Sequence, residues 1–273
     1  MSAAGDSRIA VAPPRPRRFG AVNGRAMWSL YRREQMRFLR YAGESIAGPA
    51  ISSLMFLAVF HLALGGEGPV PGVTMAQFLV PGVIMFSLAH SAFESAAVAL
   101  FHDKIEGIIG DILGAPVTPL EVIAALTLAA ASNALVTAAV ILALMSFFVD
   151  IGFHAPALIL VFALAAALVF ALLGLIVAIC AERWDHYSAA ETFVVFPVTV
   201  LSGAFFAVSS LPPAVQWPFL ANPVFHALEG FRYGFTGYAQ ASLWVAAGVL
   251  AALILALGAT ALGLYARGYK LKP

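Results

Sequence analysis

A chain of 273 residues with 62% apolar and 11% charged side chains lies far from the roughly 25% charged content of soluble globular domains, which excludes a soluble enzyme and identifies an integral membrane protein. The net charge of +1 hides basic residues gathered into a few segments, and nucleic acid is excluded as a partner. The single cysteine, Cys180, excludes an intramolecular disulfide, and no CxxC or Cys/His cluster offers a metal or redox site.

Residues 1–23 carry Pro13, Pro14, Pro16 and nearby arginines, a composition that cannot bury enough apolar surface to order itself, and they read as a flexible cytoplasmic tail. No cleavable signal is expected, because the first long apolar run begins only near Ile46. Over 24–43 the pattern becomes helical. Trp28, Tyr31, Gln35, Phe38, Leu39 and Ala42 recur at spacings of three and four, with Arg25, Ser29, Arg32, Arg33 and Arg40 largely opposite. This predicts an interfacial helix, its Trp28 and Tyr31 sunk among acyl chains and its Arg32 and Arg33 facing water and anionic lipid.

Six apolar segments are long enough to cross a hydrocarbon core of roughly 30 Å: about 45–65, 76–99, 121–149, 155–181, 189–208 and 241–266. The fold class is therefore all-α and membrane-integral. Fourteen of the 15 Lys and Arg residues then fall on one side, with Arg232 alone on the other. Since basic residues in short loops are retained in the cytoplasm, both termini are predicted cytoplasmic; the bacterial inner membrane is the expected location.

Two connections are not simple loops. The cytoplasmic segment 101–120 places Ile105, Ile108, Ile109, Ile112 and Leu113 at helical spacing, with Asp103, Lys104, Glu106 and Asp111 on the remaining arc and Gly114 with Pro116 as a stop. An amphipathic helix with a mostly acidic polar face wants a protein partner more than an anionic leaflet. The external segment 203–240 contains Glu229 and Arg232 as its charges, six Phe, and Pro212, Pro213, Pro218 and Pro223. It breaks into pieces too short to cross and predicts a re-entrant helical hairpin, with Asn222 as N-cap, Pro223 at the first helical position, and Glu229 pairing with Arg232 three residues on.

Glu94 lies inside a predicted span, one helical turn after His90. Ionisable groups at depth face a cavity or a partner, so both are candidates for a translocation path, although Glu94 is also near enough to the cytoplasmic loop to snorkel. Phe205, Phe206, Glu229 and Arg232 complete that candidate set. No catalytic residue is expected: H-E-x-x-H and G-x-S-x-G are absent.

The external run Leu201-Ser-Gly-Ala-Phe-Phe, Ser210-Leu-Pro-Pro, Asn222-Pro and Gly230-Phe-Arg-Tyr-Gly-Phe-Thr-Gly237 resembles the signature of ABC-2 type permeases. The cytoplasmic run Glu106-Gly through Leu113-Gly-Ala-Pro-Val-Thr-Pro-Leu is similar to that family's coupling segment. The resemblance covers about 24–268. It implies a transport subunit, a homodimer of this chain joined by two copies of an ABC ATPase, with Glu106, Gly107, Gly110, Asp111 and Leu113 as contacts to that partner. No cofactor is expected in this chain itself. A P-loop needs Gly-Lys-Ser/Thr to cradle phosphates, and the three lysines follow Asp103, Tyr269 and Leu271, so ATP and Mg are expected on the partner. The expected cargo is amphiphilic or hydrophobic: a lipid, lipid-linked glycan, oligosaccharide or drug. An ion-coupled secondary transporter or channel using His90, Glu94, Glu229 and Arg232 is the rival, and a membrane scaffold a third reading; both lack the partner ATPase.

Overall fold

The computed structural model describes residues 23–64, 66, 68–69 and 72–271; the tail expected over 1–23 therefore lies, but for Asn23, outside the described residues, as do Glu67 and Lys272. The described residues are helical, with no strand among them.

Helix α1 (Gly24–Arg40) starts at Asn23, whose side chain accepts from the Ala26 amide at 3.2 Å. A π-helical turn, Gly43–Ala47, leads into α2 (Gly48–Leu64). Helix α3 (Met75–Ile105) opens with a reciprocal capping box between Thr74 and Gln77, which satisfies two of the amides that a helix start leaves unpaired. After the short α4 (Ile109–Gly114), a second capping box, Thr118 with Glu121, and Pro119 at the first position launch α5 (Pro119–Met145). The Glu121 carboxylate also accepts from the Asn23 amide, so one acid fixes the starts of two helices. Helix α6 (Pro156–Cys180) follows.

Five helices are long and apolar enough to span a membrane: Gly43–Ala63, Met75–Ile105, Pro119–Met145, Pro156–Cys180 and Leu243–Ala266. The segment expected to cross at 189–208 has a different form. It is a run of three short helical pieces, α7 (Trp184–Ala190), a π turn (Glu191–Val195) and α8 (Phe196–Val200). At 1.5 Å per residue that run is about 25 Å long, and residues 201–207 leave it as irregular backbone and turn. The run descends along α3 in reverse order: Trp184 meets Phe101 at 4.8 Å, Tyr187 stacks on Phe93 at 5.9 Å, Phe196 meets Phe86 at 5.9 Å, and Ala204 reaches Gly82.

The expected hairpin over 203–240 contains α9 (Pro213–Leu220) and α10 (Pro223–Thr236), with Asn222 accepting from the Val224 amide at 2.9 Å and Gly237 closing α10 in the left-handed region at φ 70°. Helix α11 (Leu243–Ala266) completes the chain. The core is the α3–α6 pair, extended by α5 and α10. Its close approach depends on small residues, as expected where lipid supplies no hydrophobic drive between helices. A Cβ on Gly174 of α6 would stand 2.4 Å from the Phe93 carbonyl oxygen of α3. Helices α2 and α11 lie at the perimeter, only 17% of each apolar window being buried, against 72% for α3.

Candidate functional site

A cleft of about 660 Å³ opens between the end of α1, the π turn, α2 and α3. Its α3 wall carries Ser87, His90, Ser91, Glu94 and Ser95, spaced so that one helical face is polar. Across from it stand Glu44, Ser53 of α2 and Asn133 of α5. Ser53 and Ser87 share a hydrogen bond of 2.7 Å that joins the two walls. An aromatic cluster closes one end: Phe205 stacks on Phe60 at 5.3 Å and on Phe56 at 5.8 Å, and meets Phe86 at 6.0 Å. His90 is fixed from both ring nitrogens, by Thr199 at 3.2 Å and by Glu191 at 3.7 Å.

Of the six path candidates, His90, Glu94 and Phe205 line this cleft. Phe206, Glu229 and Arg232 do not. Phe206 packs edge-on against Phe219 at 5.5 Å. Glu229 and Arg232 pair at 2.7 Å as their spacing predicts, but they are 0% and 1% exposed. Arg232 also donates to the Gly203 carbonyl at 2.9 Å and lies 4.1 Å over the Phe78 ring, while Glu229 accepts from the Gln240 amide at 2.5 Å. The pair is a clamp joining α10, the 203 turn and the approach to α11. Glu191 is the acid that sequence reasoning passed over: it falls within 189–208 as Glu94 falls within 76–99, and the same criterion finds it.

The α1 end of the molecule differs from expectation at Arg33 and Asp103. Arg33 does not simply face water. It pairs with Glu34 at 2.9 Å and with Asp103, and Arg37 holds the second Glu34 oxygen. Glu34 and Asp103 are 3% and 2% exposed, so α1 docks on α3 through a buried charge network rather than through an apolar stripe alone. Burial pushes the Glu34 carboxyl above the usual carboxylate range, against the opposing pull of Arg37 and Arg33. The docked face also uses Tyr31, whose hydroxyl bonds Ser132 at 3.2 Å, and Gln35, which donates to the Ala129 carbonyl at 3.2 Å. Trp28 stacks on Tyr31 at 5.3 Å yet stays 61% exposed, and Arg32 is exposed beside it.

The amphipathic run expected from Ile105 to Leu113 is not one helix. Ile105 ends α3, Gly107 turns the chain at φ 77°, and α4 has six residues. Gly107 lacks the Cβ that would oppose this left-handed backbone, which explains the break. Asp103 belongs to α3 rather than to the polar arc of α4. Ile109 is buried at 3% beneath α4, and all five partner-contact candidates, Glu106, Gly107, Gly110, Asp111 and Leu113, are exposed around it. Nearby, Lys104 caps the end of α6 by donating to the Ile179 and Ala181 carbonyls at 2.9 and 2.5 Å, and Lys270 pairs with Glu182 at 2.6 Å. Among the described residues no group of three or more His, Cys, Asp or Glu side chains converges as metal ligands would.

Five helices long and apolar enough to span a membrane, with a polar cleft beside α2 and α3, describe a multi-pass membrane protein. The family model for ABC-2 type transporters matches residues 25–236, and the chain belongs to that family. It is 31% identical over 248 residues to the inner membrane transport permease YadH of Escherichia coli K12, covering 90% of this chain and 97% of that protein. It is also 29% identical over 243 residues to nodulation protein J of Rhizobium leguminosarum bv. viciae, covering 86% and 91%, and 27% identical over 218 residues to its counterpart in Rhizobium meliloti, covering 77% and 81%. The chain is thus a transport permease of the inner membrane.

Proposed function

We propose that this chain is the membrane subunit of an ATP-driven exporter, acting as two copies with two ATPase subunits that bind ATP and Mg on a separate polypeptide. The observation that carries the reading is the continuity of α3. One helix leads across the Gly107 turn into the exposed 106–113 handle and, about three to five turns earlier, forms the polar wall of the cleft, so force delivered from the handle to the Ile105 end reaches the cleft along one helix. Absence of any Gly-Lys pair supports an energy source in trans. In this reading the α1 end is cytoplasmic, and the 184–207 run makes a sixth crossing. Its stepwise descent along α3 supports that, as does the pairing of Lys270 with Glu182 at the same end as α1. Helices α9 and α10 then dip into the outer leaflet, and α1 lies at the inner interface. The cargo is an amphiphile: the cleft offers polar side chains beside the Phe56–Phe205 cluster and is walled in part by α2, a helix of the perimeter. The ion-coupled rival loses half its residues, since Glu229 and Arg232 satisfy each other away from the cleft.

The handle supplies the test. A Cβ on Gly110 would meet nothing within 4 Å, so Gly110→Arg is compatible with the fold and alters only the exposed surface. Co-reconstituted with an ABC ATPase subunit whose activity the unaltered chain stimulates, this variant is expected to insert normally and to lose that stimulation by roughly tenfold or more, the loss of about 1.4 kcal/mol of docking free energy. Undiminished stimulation would overturn the coupling assignment.

A further inference from the structure

The cleft is rich in hydrogen-bond acceptors that nothing in the fold uses. Asn133 is 4% exposed and borders the cleft, and its side-chain oxygen has no partner among the described residues. A buried amide oxygen is costly to leave unpaired. Thr137, one turn further along α5, donates to the Ser45 carbonyl at 3.4 Å, which sets Asn133 beside the turn that bears Glu44. Glu44 and Glu94 are both exposed to the cleft, and neither forms an ion pair among the described residues. The cations along the same cleft are otherwise placed. Arg37 is held by Glu34, His90 by Glu191 and Thr199, and His102 by Glu106, while Arg40, at the rim of the cleft on the exposed last turn of α1, forms no ion pair among the described residues.

We infer that the cleft is a head-group subsite for an amphiphile bearing a primary ammonium. The three N–H donors of such a group match the Glu94 and Glu44 carboxylates and the Asn133 oxygen, and its charge compensates two acids that lack an ion-pair partner. The acyl chain would lie along Phe56, Phe86 and Phe205. This rests on the transport reading for its purpose, but its test requires no ATPase.

The full chain in phosphatidylcholine nanodiscs should bind radiolabelled dodecylamine saturably above an empty-nanodisc background. Glu94→Gln and Asn133→Leu should each weaken that binding by about tenfold or more, the range for a hydrogen bond to a charged group. Asn133→Leu should at the same time raise the melting temperature of the unliganded protein, because it removes an unpaired buried oxygen; a residue needed only for packing would not combine these two effects. Should Asn133→Leu fail to fold, Glu94→Gln decides. Equal competition by dodecyl sulfate or dodecyl maltoside, or wild-type binding by Glu94→Gln, overturns the inference. A failure here with Gly110→Arg behaving as expected would leave the exporter reading standing without this cargo class.

Discussion

Glu229→Ala should be the most damaging single substitution in the molecule, costing about 3–5 kcal/mol, the range for removing one partner of a buried ion pair. Arg232 would keep its Gly203 carbonyl and the face of Phe78, but its charge would lie 1% exposed with no counter-ion. Its Nε already lacks a partner, so the site has no spare acceptor to call upon. The Gln240 amide would be orphaned as well. Equilibrium unfolding in mixed detergent–SDS micelles would measure the loss. The double variant Glu229→Leu with Arg232→Met removes both charges together and is expected to recover most of it, since buried pairs exchanged for apolar residues of similar volume are often neutral or better. If the double variant were as unstable as the single one, the damage would lie in packing and the clamp description would be wrong.

Gly82→Val is expected to be nearly as severe for a different reason. A Cβ there would lie 2.0 Å from the Ala204 carbonyl oxygen and 2.7 Å from its carbon. Both are backbone atoms, and no side-chain rotation can make room. Overpacking of this kind costs about 1–3 kcal/mol where a core can adjust, and here the adjustment must displace the 201–207 segment from α3. That segment positions Phe205, so the substitution should also open the aromatic end of the cleft. Equilibrium unfolding in the same mixed micelles would measure the loss, and a Gly82→Val variant as stable as the unaltered protein would refute the contact described.

The sequence discloses helices better than it discloses their joints. The periodicity of 24–43, the apolar lengths of α3, α5, α6 and α11, and the Asn222-Pro223 start of α10 are all local signals, and each appears where the pattern puts it. The 189–208 segment is different. Its apolar composition marks it for the membrane, but Glu191, Pro197 and the π turn subdivide it, and a window of hydropathy averages over such breaks. Likewise the spacing of Ile105 to Leu113 fits one helix only if Gly107 is helical, and a glycine carries no local sign of its φ. Pairing of Glu229 with Arg232 is legible because both partners sit on one helix. The network of Arg33, Glu34 and Asp103 is not, because it joins residues some 70 positions apart. The cleft follows the same rule: Glu94 and His90 can be named from one span, whereas Asn133 enters only when α5 is folded beside the π turn.

The 31 residues of α3 make a rod of about 46 Å, and Pro81 interrupts it near one tip. Proline withholds an amide from the ladder, and Gln77 anchors that tip by donating to the Asp150 carbonyl at 2.8 Å. Below Pro81 the remaining shaft, about 36 Å long, is tied at its lower end to α1 through Asp103 and to α6 through Lys104, and has its weak point at the top. A swing of about 10° there would carry the handle some 6 Å sideways while moving Glu94 by about half as much, by simple proportion along a rigid shaft. On the transport reading proposed above, α1 and α6 would have to shift with the base of α3, and any displacement there would reach the cleft at about half its amplitude.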